Sequence, residues 1–100
     1  MGKTVQSGQL VSSKAGRDKG RYYLVVYVGN DNNVFVADGT GRIIAAPKKK
    51  NIKHLIVHRQ IAAAVAAKLQ AGQNIDDREL RTALSALVGD DGQARSEEVD

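Results

Sequence analysis

The sequence predicts a single domain that is mainly β, with helices at its C-terminal end. Between residues 9 and 58, short runs of β-branched and aromatic residues alternate with turns of Gly, Asn and Asp, as in a small barrel or sandwich. From residue 60 onwards the chain is rich in alanine, and its apolar residues recur at helical spacing. Because 100 residues can build only one modest core, we expect the strands and helices to share it.

Turn residues divide the first part of the chain into strands. The clearest run reads RYYLVVYV, and its residue types fit a pleated, buried surface, so it is predicted to be the central strand. The GNDNN sequence that follows predicts a hairpin loop, because Gly, Asn and Asp tolerate positive φ. The five predicted strands are 9–13, 21–28, 34–37, 42–46 and 55–57.

The central strand carries apolar side chains on both faces. Successive side chains of a strand point to opposite faces of the sheet. The two sets are Tyr22, Leu24, Val26 and Val28 on one face and Tyr23, Val25 and Tyr27 on the other. Since a strand with one buried face would alternate with polar residues, the C-terminal third of the chain is expected to cover the second face.

Two helices are predicted after residue 58. The first spans 60–71 and ends at Gly72, and its apolar stripe has four-residue spacing. The second begins near Asp76, which can cap the helix together with Glu79 three residues later. The predicted buried stripes are Ile61, Val65 and Leu69 in the first helix and Leu80, Leu84, Leu87 and Val88 in the second.

The domain is predicted to end at residue 88. Residues 1–88 form one unit, in which 8–58 make the β part and 60–88 the helical extension. The remaining segment, 89–100, is acidic and has little to bury, which is typical of a disordered tail.

Charge is distributed unevenly along the chain. The formal net charge of +4 combines eleven basic and three acidic residues in 1–59 with four basic and eight acidic residues in 60–100. A basic half beside an acidic half is expected where one surface meets a polyanion. The chain lacks cysteine, and neither a signal peptide nor a membrane span is recognisable, so a cytoplasmic protein is expected.

A glycine-containing basic loop, residues 14–21, links the first two predicted strands. Its sequence, KAGRDKGR, turns at Gly16 and Gly20, because such a loop needs positive φ or close backbone approach at fixed places. Arg17, Lys19 and Arg21 are expected to be held off the end of the sheet, where they can meet a phosphate backbone. The segment 8–21 resembles the KOW motif shared by several ribosomal proteins and by bacterial transcription elongation factors.

More of the chain supports the resemblance. The ADG sequence at 37–39, Arg42 and the run PKKKNIKHL at 47–55 are similar to the small bacterial KOW-domain RNA-binding proteins related to large-subunit ribosomal proteins of the L-fourteen-e group. The resemblance covers residues 8–58, and the helices are compatible with it. It implies an SH3-like barrel (KOW); with the strands and helices predicted above, the expected fold is a five-stranded barrel covered by two α-helices. It also implies binding of RNA, either structured ribosomal RNA or the ribosome.

The predicted RNA-binding residues are the cations of the two basic segments and one histidine. They are Lys14, Arg17, Lys19, Arg21, Arg42, Lys48, Lys49, Lys50, Lys53 and His54, and the predicted structural loop glycines are Gly16, Gly20 and Gly39. Pro47 imposes extended geometry, so the three lysines after it are expected on a stiff, exposed arm. Lysines contact phosphates without base specificity, whereas arginines can bind phosphates or bases through two hydrogen bonds.

The same residues admit other interpretations. The tyrosines of the central strand can stack on unpaired bases, but their apolar surroundings favour core packing. His54 and His58 lack acidic or cysteine partners, so neither a metal site nor catalysis is predicted. No cofactor or small-molecule substrate is expected, and the protein is expected to be a monomer. The alternative functions are a KOW-type protein-interaction module of the transcription or translation machinery, and a basic domain without a dedicated nucleic-acid target.

Overall fold

The computed structural model describes the backbone of residues 5–99 and the side chains of residues 5–89. In that part of the chain it contains five strands, a 3-10 turn at Ile52–His54 and two helices. The strands are β1 (Gln9–Ser13), β2 (Tyr22–Val28), β3 (Asn33–Ala37), β4 (Lys48–Asn51) and β5 (Leu55–Ile61). The helices are α1 (Ala63–Gln70) and α2 (Asp77–Val99). The prediction of a mainly β chain with C-terminal helices is confirmed.

The strands form one antiparallel sheet in the order β4-β3-β2-β1-β5. β2 lies at the centre of this sheet, as its residue types predict. Within residues 5–99 the two outer strands, β4 and β5, are not hydrogen-bonded to each other, so the sheet is open. The 3-10 turn connects these two outer strands along the chain.

The predicted strand at 42–46 is wrong, and the fourth strand, β4, lies further along the chain. Residues 42–46 form turns and bends in the structure. Side chains engage the backbone of this segment: the Arg42 N–H donates to Asp38 Oδ1 (2.9 Å) and the Ile44 N–H donates to Asp77 Oδ1 (2.7 Å). Backbone groups that bind carboxylates in this way are withdrawn from a strand ladder.

One hydrophobic core lies on the face of the sheet that we call the inner face. Its buried side chains come from all strands except β4. They are Val11, Tyr23, Val25, Val34, Val36 and Leu55. Because paired residues of neighbouring strands share a face, these β-branched and aromatic side chains pack on one another across the strands.

The two helices cover the opposite, outer face. Leu10, Leu24 and Ala37 on the strands form a second buried cluster with residues of the helical region. The cluster residues from this region are Val65 and Leu80 in the helices and Ala62 and Ile75 just before them. β2 is therefore buried on both faces along its first half, which confirms that the C-terminal third supplies the cover.

Helix α1 begins later than the sequence predicts, at Ala63 instead of residue 60. β5 continues to Ile61, whose 38% exposure places it outside the buried helix stripe. The predicted cap of α2 is present: Asp76 Oδ1 accepts a hydrogen bond from the Glu79 N–H (2.8 Å), and the Asp76 N–H donates to Glu79 Oε1 (3.2 Å). This reciprocal pair satisfies two backbone donors and fixes where α2 begins.

The backbone of α2 is helical through Val99, whereas the sequence predicts a disordered tail from residue 89. The stretch contains alanine, glutamate, glutamine and arginine, which are good helix formers, and it contains no proline. Side chains beyond Gly89 lie outside the described residues, so the domain boundary at residue 88 stays a prediction.

A bulge in β2 changes the face on which its last residues lie. Val25 pairs with Val36, but two residues later Tyr27 pairs with Phe35, which is only one residue before Val36. The extra residue in β2 reverses the alternation of side chains. Tyr27 therefore lies beside Phe35 on the outer face, instead of joining Val25 on the inner face as predicted.

The β2–β3 hairpin turns through two non-glycine residues with positive φ. Asp31 and Asn32 have φ of 58° and 65°, and the Asn33 N–H donates to Asn30 O (3.0 Å). Asp and Asn tolerate this left-handed conformation better than other side chains, so the predicted hairpin loop is confirmed.

Replacement of Leu80 by alanine tests the packing of α2 on the sheet. Leu80 is fully buried in the outer core, and we expect Leu80→Ala to lower the free energy of unfolding by about 2–5 kcal/mol. Leu84, one turn later, is half-buried, so Leu84→Ala should cost clearly less. Urea unfolding followed by circular dichroism measures both variants. A loss near zero for Leu80→Ala would mean that α2 is not packed on the sheet.

Candidate nucleic-acid interface

Backbone hydrogen bonds between its two ends close the basic loop, residues 14–21. The Ser13 N–H donates to Arg21 O (3.0 Å) and the Gly20 N–H donates to Ser13 O (2.7 Å), which ties the loop at the ends of β1 and β2. Gly16 and Gly20 have φ of +84° and +88°, a conformation that residues with side chains rarely adopt. The exposed cations of the loop are Lys14, Arg17, Lys19 and Arg21.

The carboxylate of Asp18 anchors the loop to the sheet. Asp18 Oδ1 accepts hydrogen bonds from Ser13 Oγ (2.8 Å) and Lys50 Nζ (3.1 Å), and Oδ2 accepts one from the Tyr23 hydroxyl (2.9 Å). Lys48 Nζ lies 3.5 Å from Oδ2. We call these five residues the Asp18 cluster. The cluster joins the β1–β2 connection to β4, which stands at an outer edge of the sheet.

The surroundings of Asp18 keep it ionised. Burial by itself raises the pKa of this carboxyl, but hydrogen bonds from Ser13, Lys50 and Tyr23 outweigh burial and hold the pKa well below its usual range. Burial and the hydrogen bond to Asp18 raise the pKa of Tyr23 to about 12, so its hydroxyl remains a donor at neutral pH. The side chains of Asp18 and Lys50 are each only 12% exposed, so water screens this ion pair weakly.

Two of the three lysines predicted to form an exposed arm belong to the Asp18 cluster instead. The extended geometry at Pro47 continues into β4, where side chains alternate between the faces. Lys48 and Lys50 stand opposite buried valines of β3 and point to the inner face, where both reach Asp18. Lys49 is exposed on the outer face. The expectation of a free lysine arm is therefore corrected.

The 3-10 turn adds cations beside the basic loop. The Lys14 N–H donates to His54 O (3.1 Å), which holds the end of β1 against the turn. Asn51 Oδ1 accepts a hydrogen bond from the Lys53 N–H (2.9 Å) and fixes the start of the turn. Lys14, Lys53 and His54 are all exposed, so they extend the positive surface of the loop.

The buried carboxylate of Asp38 interacts with the side chain of Arg21 and the backbone of Arg42. Asp38 Oδ2 lies 4.0 Å from Arg21 Nη2, while Asp38 Oδ1 accepts a hydrogen bond from the Arg42 N–H (2.9 Å). Gly39 follows with φ of +81°, and a Cβ at this position would lie 2.6 Å from the carbonyl oxygen of Asp77. Glycine therefore allows this loop to touch the first turn of α2.

Most of the predicted RNA-binding residues are exposed around the basic loop and its neighbours, a surface that we call the basic end. Its members are Lys14, Arg17, Lys19, Arg21, Arg42, Lys53 and His54. Lys48 and Lys50 lie behind this surface in the Asp18 cluster, and Lys49 lies apart from it on the outer face. Asp18 was not predicted as a site residue. Its one sequence signal is an acid placed among the cations of the basic loop.

The three tyrosines of β2 have different environments. Tyr23 is buried in the inner core, and Tyr22 packs against the outer core with its ring centroid 5.5 Å from that of His58. Core packing, the favoured interpretation, therefore describes these two residues. Tyr27 differs, because 61% of it is exposed.

Within residues 5–89, no group of three or more His, Asp or Glu side chains is arranged to hold a metal ion. Among the helices that the structure describes, none combines the length and apolar character needed to cross a membrane.

No protein-family model matches the chain, and no curated protein matches it.

Replacement of Asp18 by asparagine should destabilise the domain. Asparagine keeps the shape of the side chain but leaves the shielded Lys50 ammonium without its counter-charge, and breaking such a pair costs roughly 3 kcal/mol. Asp31→Asn is the matched control, because Asp31 is exposed on the hairpin and its loss should change stability by less than about 0.5 kcal/mol. Equal effects of the two substitutions on urea unfolding would contradict the anchoring role of Asp18.

The difference in folding stability between the wild type and Asp18→Asn should depend on pH. The pKa of Asp18 in the folded chain lies below the ordinary aspartate value of about 4, so its stabilisation is complete above that pH and is lost as the pH falls further. Between about pH 4 and pH 2 the wild type should therefore lose stability more steeply than Asp18→Asn.

Proposed function

We propose that the protein binds structured RNA through the basic end. The observation that supports this most is the fixed presentation of exposed cations on an ordered loop. Backbone hydrogen bonds close the loop 14–21, and Asp18 fastens it to β4. A cation on a loop that is already ordered loses little freedom on binding, so more of its attraction to phosphate is retained as affinity.

The chemistry of the basic end favours recognition of RNA shape over base sequence. Its lysines act as point charges, and its arginines can bind one phosphate through two parallel hydrogen bonds. Double-stranded RNA exposes phosphates and 2′-hydroxyls, whereas its deep major groove excludes side chains. We therefore infer weak sequence preference and strong preference for folded RNA.

The sheet supports a finer fold assignment, an SH3-like barrel of the KOW type. The antiparallel order β4-β3-β2-β1-β5 places the first and last strands side by side, and a 3-10 turn separates the last two strands. The Asp18 cluster spans from the β1–β2 loop to β4, which suits a sheet that curls towards closure. In the proposed barrel, these side chains hold the open edge strand β4 to the β1–β2 loop.

Ribosomal RNA, within the cytoplasm, is the target that we propose. The basis is the resemblance of residues 8–58 to small KOW-domain RNA-binding proteins of the L-fourteen-e group. The cysteine-free composition suits a reducing compartment.

Salt dependence of RNA affinity tests the proposal. If about four to six phosphates are neutralised, log affinity should fall with log salt at a slope of about −3 to −5. The double variant Arg17→Gln/Lys19→Gln removes two exposed cations and should flatten the slope by about 2 units, with weaker binding and unchanged stability. Titrations against a structured ribosomal RNA fragment give both quantities.

Arg78→Gln is the control for this experiment. Arg78 is an exposed cation on α2 outside the basic end, so its loss should leave the slope unchanged. A wild-type slope near zero, or a loop variant that binds as the wild type does, would rule out the basic end as the RNA-binding surface.

A further inference from the structure

The outer face of the sheet carries an aromatic patch beyond the reach of the helices. We define this patch as Tyr27, Phe35 and Lys49, which lie side by side across β2, β3 and β4. The ring centroids of Tyr27 and Phe35 are 5.7 Å apart, and their planes are inclined by 53°. Tyr27 is 61% exposed, and Lys49 is also exposed. The helices therefore leave an exposed aromatic ring and an exposed cation uncovered on this face.

A pocket of about 350 Å³ opens at this patch. Its remaining walls come from the β2–β3 turn, namely Gly29, Asn30, Asp31 and Asn33. The turn is ordered, since the Gly29 N–H donates to Asn33 O (2.9 Å) and the Asn33 N–H donates to Asn30 O (3.0 Å). The pocket thus combines aromatic rings with amide and carboxylate groups on a fixed turn.

We propose that this pocket holds one unpaired base of the RNA that binds at the basic end. The inference rests on the proposed RNA-binding function and adds a requirement for an unpaired nucleotide. Tyr27 and Phe35 supply rings on which any base can stack. The oxygen atoms of Asn30 and Asp31 can accept hydrogen bonds from N–H groups at the edge of the base.

The charges around the pocket favour a base rather than a phosphate inside it. The Asp31 carboxylate lines the pocket and would repel a phosphate there, whereas base edges carry N–H donors. Lys49 also lines the pocket and can neutralise the phosphate adjoining the stacked nucleotide.

The two surfaces are close enough for one RNA molecule to contact both. β2 begins at Tyr22, which follows the basic loop directly, and Tyr27 lies five residues further along the strand. Five residues of strand span about 17 Å. A short RNA hairpin with a bulged nucleotide is long enough to bridge this distance.

Two RNA hairpins that differ only in a single bulged adenosine, absent from the fully paired one, test the proposal. The wild type should bind the bulged hairpin about tenfold more tightly, because a base that stacks on an aromatic side chain gains roughly this much affinity. Tyr27→Ala should bind both hairpins alike, at the affinity of the wild type for the paired one. Tyr27→Phe retains the ring and should keep the preference.

A spectroscopic readout accompanies the affinities. With 2-aminopurine in place of the bulged adenosine, stacking in the pocket should change its fluorescence on addition of the wild type or Tyr27→Phe, but not of Tyr27→Ala. Lys49→Gln should weaken binding of the bulged hairpin a few-fold and leave the fluorescence change in place. Because Tyr27 is largely exposed, Tyr27→Ala should melt at the temperature of the wild type.

The outcomes separate the base pocket from RNA binding in general. If the wild type binds both hairpins equally and with a steep salt slope, the base pocket is wrong and the proposed function stands. If it binds neither hairpin, both are wrong. Aromatic grooves also bind proline-rich peptides, so a peptide that shifts the Tyr27 resonances when bulged RNA does not would overturn the base pocket in favour of a peptide site.

Discussion

The ion pair between Asp18 and Lys50 joins two parts of the sheet that no backbone pairing connects. In the order β4-β3-β2-β1-β5, β3 lies between β4 and β2, β3 and β2 lie between β4 and β1, and the described strand ladder does not close. Lys50 crosses the inner face to reach Asp18, which also accepts hydrogen bonds from Ser13 and Tyr23. The ion pair with Lys50 and the hydrogen bonds from Ser13 and Tyr23 offset the free-energy cost of shielding the Asp18 carboxylate from water. These contacts hold the basic loop in one defined position.

The defined position of the basic loop depends on some of the cations and leaves others exposed. Cations that hold the fold together cannot also be free to bind a ligand, and the chain divides its lysines between these tasks. Lys48 and Lys50 stabilise the loop from the inner face through their contacts with Asp18, while Arg17 and Lys19 on the loop remain exposed. The same alternation along β4 sends Lys49 to the outer face. There it stands beside aromatic side chains that the helices leave uncovered.

Sequence patterns predict the central features of this fold and miss those that depend on side-chain partners. The burial of both faces of β2 along its first half and the Asp76–Glu79 cap follow from local signals, and both appear in the structure as predicted. β4 was missed because its sequence, KKKN, has no apolar residue; lysine-rich strands are nonetheless common at sheet edges, where they oppose aggregation. The outward position of Tyr27 follows from a bulge that the run of apolar residues conceals. The role of Asp18 arises only when distant β4 approaches the loop, so no spacing along the chain reports it.

We propose that the basic end binds folded ribosomal RNA. Ultraviolet crosslinking in cells tests it most directly, with sequencing of the bound RNA and mass spectrometry of the crosslinked peptides. We expect crosslinks to structured ribosomal RNA within residues 14–21 and within the 3-10 turn, Ile52–His54, which lies beside the loop. Crosslinks confined to the exposed surface of α1, or recovery of no RNA, would contradict this account of the protein.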